Sequence, residues 1–176
     1  MNVTMRPFTG FAAGLSFALS ALAAAPAHAG DATADFAKTG LGVDLSRYAF
    51  GASATNFPEL LPPDPKAATP WRRVAITRAT AAGTNVAGSL DLRFEADRLV
   101  ELRTMVTDFS ATSPGRETDR LLGKFKKVGA SAKKDSNRFV LETPARTISA
   151  EGYCSISNVI ALQFHITPPP QQRGKP

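Results

Sequence analysis

The sequence predicts an α+β domain: a curved antiparallel β-sheet of about five to six strands with one principal α-helix packed on one face. Three observations predict it. Residues 86–109 alternate apolar and charged side chains in period two, as a hairpin with one buried face does. Residues 113–129 carry helix start and stop signals around an apolar stripe. The remaining strand-like segments are joined by short turns, which favours antiparallel pairing.

The chain has 176 residues, and its first 29 read as a secretory signal peptide. Arg6 supplies the charged start, Phe11 to Ala25 is the apolar stretch, and Ala27-His28-Ala29 has the A-x-A form of a cleavage site. Cleavage is expected between Ala29 and Gly30. The apolar stretch is shorter than the roughly 20 residues a membrane span needs, so no membrane span is expected after cleavage. Of 21 basic residues only Arg6 is lost, so 20 remain against 15 acids, a formal charge of +5. The remaining length suits one domain with its own core. Periplasm or secreted medium is the expected location.

Residues 30–45 are small and polar and read as a flexible leader. Residues 46–167 read as the domain. Ser46 to Gly51 is a short strand candidate. Thr55 to Leu61 reads as a brief helical turn, capped by Asn56 with Glu59 three residues on. Pro62 and Pro63 end it, and a Pro-rich loop runs to Pro70. Trp71 to Thr80 is a strand candidate with Val74 and Ile76 on one face.

The hairpin follows. With a three-residue loop, Ala96 to Arg98, Phe94 faces Val100, Leu92 faces Leu102, Arg93 faces Glu101 and Asp91 faces Arg103. A one-residue slip would set Leu92 against Glu101, so the pattern selects this register. Each Arg then has a carboxylate partner and reads as part of a salt-paired outer face rather than an anion site.

The helix starts at Ser113 as cap, with Pro114 in the first turn. Leu121, Leu122, Phe125 and Val128 form its stripe, Lys124, Lys126 and Lys127 occupy its last turns, and Gly129 stops it. Ala130 to Asn137 reads as a basic loop. Arg138 to Glu142 is a strand, Arg146 to Ser149 pairs back, and Val159 to Ile166 is the last strand. Residues 168–176 are Pro-rich and polar and are expected to be disordered.

The chemistry on offer is narrow. His165 is the one histidine after the signal segment, alternates with Phe164 and Ile166, and has no carboxylate near it in sequence. It is expected on the surface. One His and one Cys make no zinc pattern, and Cys154, beside Tyr153, reads as a buried small hydrophobe. Asp91, Glu95, Asp97 and Glu101 fit neither a calcium loop nor a paired-acid site. There is no nucleophile elbow, phosphate-binding loop or dinucleotide fingerprint. No cofactor is implied.

Lys124, Lys126, Lys127, Lys133, Lys134 and Arg138 fall within fifteen residues. They read either as a solvated helix end or as a docking patch for an anionic protein or envelope component. Nucleic acid is not the expected partner, because the protein is expected to be exported. The leading expectation is an exported, non-enzymatic accessory or binding protein. An inhibitor or immunity-type protein docking through Trp71 and its Pro-rich loop is the alternative. A weak hydrolase built on His165 is a third, and it requires a pocket and a carboxylate beside the imidazole.

Overall fold

The computed structural model describes residues 28–62, 70–80, 82–108, 114–133, 137–155 and 158–170. Most of the expected signal peptide, residues 63–69 of the Pro-rich loop, Ser113, Lys134 and residues 171–176 lie outside the described residues.

The period-two segment forms strands β2 (Asn85–Glu95) and β3 (Arg98–Thr107). Leu92 pairs with Leu102, Arg93 with Glu101 and Asp91 with Arg103, the register that the alternation selects. The turn differs from expectation. It has two residues, Ala96 (φ 47°) and Asp97 (φ 60°), both left-handed. That is the turn form whose twist matches the strands it joins. A bulge between Arg93 and Phe94 absorbs the difference, so Phe94 pairs with Leu99 instead of Val100. Asp97 is held in this turn from outside: Ser53 Oγ donates to its carboxylate at 2.6 Å and the Ala54 N–H at 3.3 Å.

The molecule is mostly β. Strand β1 (Trp71–Ala79) pairs with β2. Beyond the helix lie β4 (Ser131–Ala132), β5 (Arg138–Glu142), β6 (Thr147–Ser155) and β7 (Asn158–Thr167). Among the described residues all pairings are antiparallel, and the order is β1-β2-β3-β7-β6-β5-β4, an open sheet of seven strands. The count exceeds the expected five to six because β4 forms inside the segment expected as a loop. Strand β6 also runs well past Ser149.

Helix α2 (Arg116–Lys127) follows β3. Asp108 caps it, accepting from the Glu117 N–H at 2.7 Å. Gly129, at φ 105°, stops it in the left-handed conformation that glycine adopts at no steric cost. The Ala130 N–H closes the end on the Phe125 carbonyl at 3.2 Å. Leu121 and Phe125 are fully buried against the sheet. Glu117 is buried too and accepts from Arg78 of β1 and from Arg120, each at 2.7 Å.

The flexible leader expected over 30–45 is instead part of the core. Helix α1 (His28–Phe36) runs into a wide turn, Ala37–Leu41. Phe36, Ala37, Leu41, Val43 and Leu45 are all buried. The Phe36 ring lies 5.1 Å from Phe125 and 5.9 Å from Phe164, centroid to centroid. With α2 alone the sheet face would stay partly bare, and this segment covers the remainder. Helix α1 also makes α2 one of two α-helices among the described residues.

Smaller departures follow the same logic. Ser46–Gly51 is not a strand. Leu45–Arg47 is a 3₁₀ turn capped by Asp44, and Gly51 and Ala52 hydrogen-bond to the Leu99 backbone. The later turn is Ala54–Asn56, capped by Ser53 rather than Asn56, and Glu59 accepts from Arg47 at 3.0 Å instead of closing a capping box. Cys154 is exposed, not buried, because a bulge follows Tyr153 at the end of β6. Pro169 is buried, so the tail begins ordered.

The core role of the leader is testable. Replacing Phe36 by Ala removes a buried aromatic side chain from a three-ring cluster, a change that costs about 3–5 kcal/mol. Urea unfolding of Phe36→Ala should show that loss. An unchanged midpoint would return residues 30–45 to the status of a leader.

Candidate functional site

Strand alternation gives the sheet two chemically different faces. Leu90, Leu92, Leu102, Phe164, Ile166, Ile148 and Leu141 point to the helices and are buried. Their neighbours point the other way, and no described helix packs on them. One cross-strand row on that open face runs Arg73–Asp91–Arg103–His165–Ser149–Val140. Charge is paired along it. Asp91 accepts from Arg73 at 2.7 Å and from Arg103 at 3.2 Å. The Arg103 guanidinium also lies 4.2 Å from the centre of the Trp71 ring, within cation–π range, and Arg93 lies 5.9 Å away.

Glu101 and His165 meet at the centre. The Glu101 carboxylate binds His165 Nδ1 through one oxygen at 2.6 Å and Arg93 Nε through the other at 3.0 Å. Arg93 bridges on to Glu95. The His165 hydrogen bond, helped by the charges of His165 and Arg93, holds the Glu101 carboxyl below its ordinary value, against an opposing push from burial. Adjacent to this pair, on strands β5 to β7, lies a concavity of about 390 Å³. Its floor is polar. Glu142, Thr147 and Thr167 form one end, Val140, Ser149 and His165 the middle, and Arg138, Glu151 and Lys133 the other end. Arg138 donates to Ser149 Oγ at 3.0 Å.

The expected site residues are not brought together. Lys124, Lys126 and Lys127 lie on α2, on the covered side of the sheet, and the Lys126 ammonium sits 4.6 Å from the Phe139 ring centre. Lys133 and Arg138 line the concavity on the opposite face. The run is contiguous in sequence only, because the chain passes around the sheet edge between them. Trp71 is half-buried under Arg103 rather than projecting. His165 lies on the surface face as expected, but its carboxylate partner comes from 64 residues away.

The carboxylate of Glu101, the hydroxyls of Ser149 and Thr147, and Glu142 were not singled out together by sequence. Glu101 belonged to the hairpin's acidic set, but nothing local to it points to β7. Among the described residues no three His, Cys, Asp or Glu side chains converge to hold a metal ion, and no helix is long and apolar enough to cross a membrane. No family model, no curated protein and no solved structure matches the chain.

The Glu101 contacts imply a pH dependence. A carboxylate whose folded pKa is depressed contributes stability that is fully present above its unfolded value of about 4.3 and lost as pH falls through the lower folded value. Glu101→Gln should therefore be less stable than the wild type by about 1–2 kcal/mol at pH 6. The gap should begin to close as pH falls below about 4.3 and go on closing as pH falls through the lower folded value. Denaturant unfolding of both proteins across that range measures it. A gap that stays constant would mean the carboxylate charge is not what the pair uses.

Proposed function

We propose that this is an exported, non-enzymatic binding protein of the cell envelope that takes a polar envelope component on the open face of its sheet. The observation that supports it is the two-sidedness of the sheet. One face carries the whole aliphatic and aromatic core. The other carries a polar concavity beside a pre-arranged network of paired charges. Paired charges hold each other's geometry, so a ligand meets oriented donors and acceptors without having to order them. The anionic partner expected from composition then falls to Lys133 and Arg138, the two cations that line the concavity. The signal segment in the sequence supports export.

A second reading, a weak hydrolase, has one specific observation in its favour. His165 borders the concavity with a carboxylate on Nδ1, the arrangement that orients an imidazole as a base. Ser149 lies directly across from it on β6. Against it, Ser149 is 3% exposed, which hides its hydroxyl from a substrate, and the Arg138 guanidinium takes one of the oxygen's lone pairs. Under this reading the protein cleaves p-nitrophenyl esters, and His165→Ala abolishes the activity.

The two surfaces separate in one experiment. Envelope extract is passed over the immobilised protein, a Lys124/Lys126/Lys127→Gln triple variant and a Lys133→Gln, Arg138→Gln double variant. Capture should survive in the triple variant and fall at least tenfold in the double variant. The reverse result would move the binding surface to α2.

A further inference from the structure

Thr147 lies at one end of the concavity and is 6% exposed, and its Oγ1 is buried with no hydrogen-bond partner. An unsatisfied buried hydroxyl is costly and uncommon, and it asks for a partner. Thr147 lines the concavity, and its hydroxyl has other staggered χ1 positions open to it. Glu142 lies directly opposite Thr147 on β5, and Thr167 directly opposite on β7. This end therefore gathers a carboxylate and two hydroxyl oxygens. An ammonium group has three donors and no acceptor, and such a cluster is its complement.

The other end holds two cations, Arg138 and Lys133, against one carboxylate, Glu151, and so carries net positive charge. Arg138 and Lys133 present donors to an anion, and Arg138 lies four residues along β5 from Glu142. At about 3.3 Å per residue the two Cα positions are about 13 Å apart. Both side chains are long and flexible, so their charged tips can approach each other more closely than that. The lining is balanced in charge: Glu101, Glu142 and Glu151 stand against Lys133, Arg138 and, when protonated, His165. Glu101 is already engaged on both oxygens, which leaves Glu142 as the carboxylate of the Thr147 end. A polyanion would meet these acids, and a polycation the bases.

Resting on the reading of the open face as a binding surface, we propose that the concavity binds a small zwitterion of amino-acid to dipeptide size. Its ammonium sits at Glu142, Thr147 and Thr167, and its carboxylate at Arg138 and Lys133. The volume of about 390 Å³ lies within the range of small-ligand sites.

The test uses dialanine, its C-terminal amide and its N-acetyl derivative, each titrated into the exported protein while amide chemical shifts are followed. Dialanine should bind saturably, with shifts centred on β5 to β7, and each single-charge derivative should bind at least tenfold more weakly. Thr147→Val keeps the shape and removes the hydroxyl. It should weaken dialanine at least fivefold yet raise Tm, because the unpaired group is gone. A purely structural Thr147 would not weaken binding. Equal binding of the three compounds overturns the zwitterion and leaves the open face as a binding surface. Absence of binding, with envelope capture still dependent on Lys133 and Arg138, also overturns the zwitterion alone. Absence of both overturns the ligand class and the open-face reading together.

Discussion

The pairing of β3 with β7 is the constraint on which the rest depends. It joins the β1–β3 half of the sheet to the β4–β7 half, across the helix and some fifty residues of chain. On one face it sets Leu102 against Ile166 and Thr104 against Phe164. Phe164 then meets Phe36 and Phe125, at 5.9 and 5.6 Å, so the aromatic cluster tying both helices to the sheet stands on this ladder. On the other face the same ladder sets Arg103 against His165 and brings Glu101 to the imidazole. Because successive side chains alternate faces, one register builds core and site together. A slip of one residue would bury His165 and expose Phe164.

That pairing also explains what could be read in the sequence. The β2–β3 register was legible because hydrophobic and charge alternation agree within twenty residues, at Leu92–Leu102 and Arg93–Glu101 alike. Helix α2 was legible from Leu121, Phe125 and Gly129. The turn was not, since Ala96 and Asp97 carry none of the Asn-Gly or Gly signature of a two-residue hairpin. Their left-handed geometry is fixed by Ser53 and the Ala54 N–H, far away in sequence. The Glu101–His165 pair was illegible for the same reason. A lone histidine acquires a carboxylate only once strand order is known. The core segment 36–45 had a faint local signal, in the i, i+1, i+5 spacing of Phe36, Ala37 and Leu41, masked by the small polar residues around it.

Two kinds of ion pair coexist, and they act differently. Arg73, Arg93 and Arg103 stay in contact with solvent while their carboxylate partners Asp91 and Glu101 are largely covered, so these pairs are partly screened. Their effect is on order: Trp71, Arg103, Asp91 and Arg73 hold one another in a fixed array. Glu117 is different. With Arg78 and Arg120 it sits inside, between β1 and α2, where desolvation offsets much of the attraction. Its consequence is specificity of docking. A helix rotated or shifted on the sheet would leave Arg78, whose side chain is 9% exposed, without its carboxylate.

The separation of cations between faces follows from chain geometry, and it changes what the basic character of the protein can mean. Lysines at the end of α2 suit the helix dipole wherever the helix lies. Lys126 is further occupied over Phe139, so these charges have a structural account without any partner. Lys133 and Arg138 follow within a few residues, yet the strand that begins there reverses which side of the sheet a side chain faces. A sequence cluster that crosses a sheet edge is two surfaces. The one that remains to be explained holds both signs of charge, a histidine oriented by a carboxylate, and a buried hydroxyl without a partner. A face serving only solubility would need none of these, since exposed, unpaired lysines already provide it at no cost in desolvation.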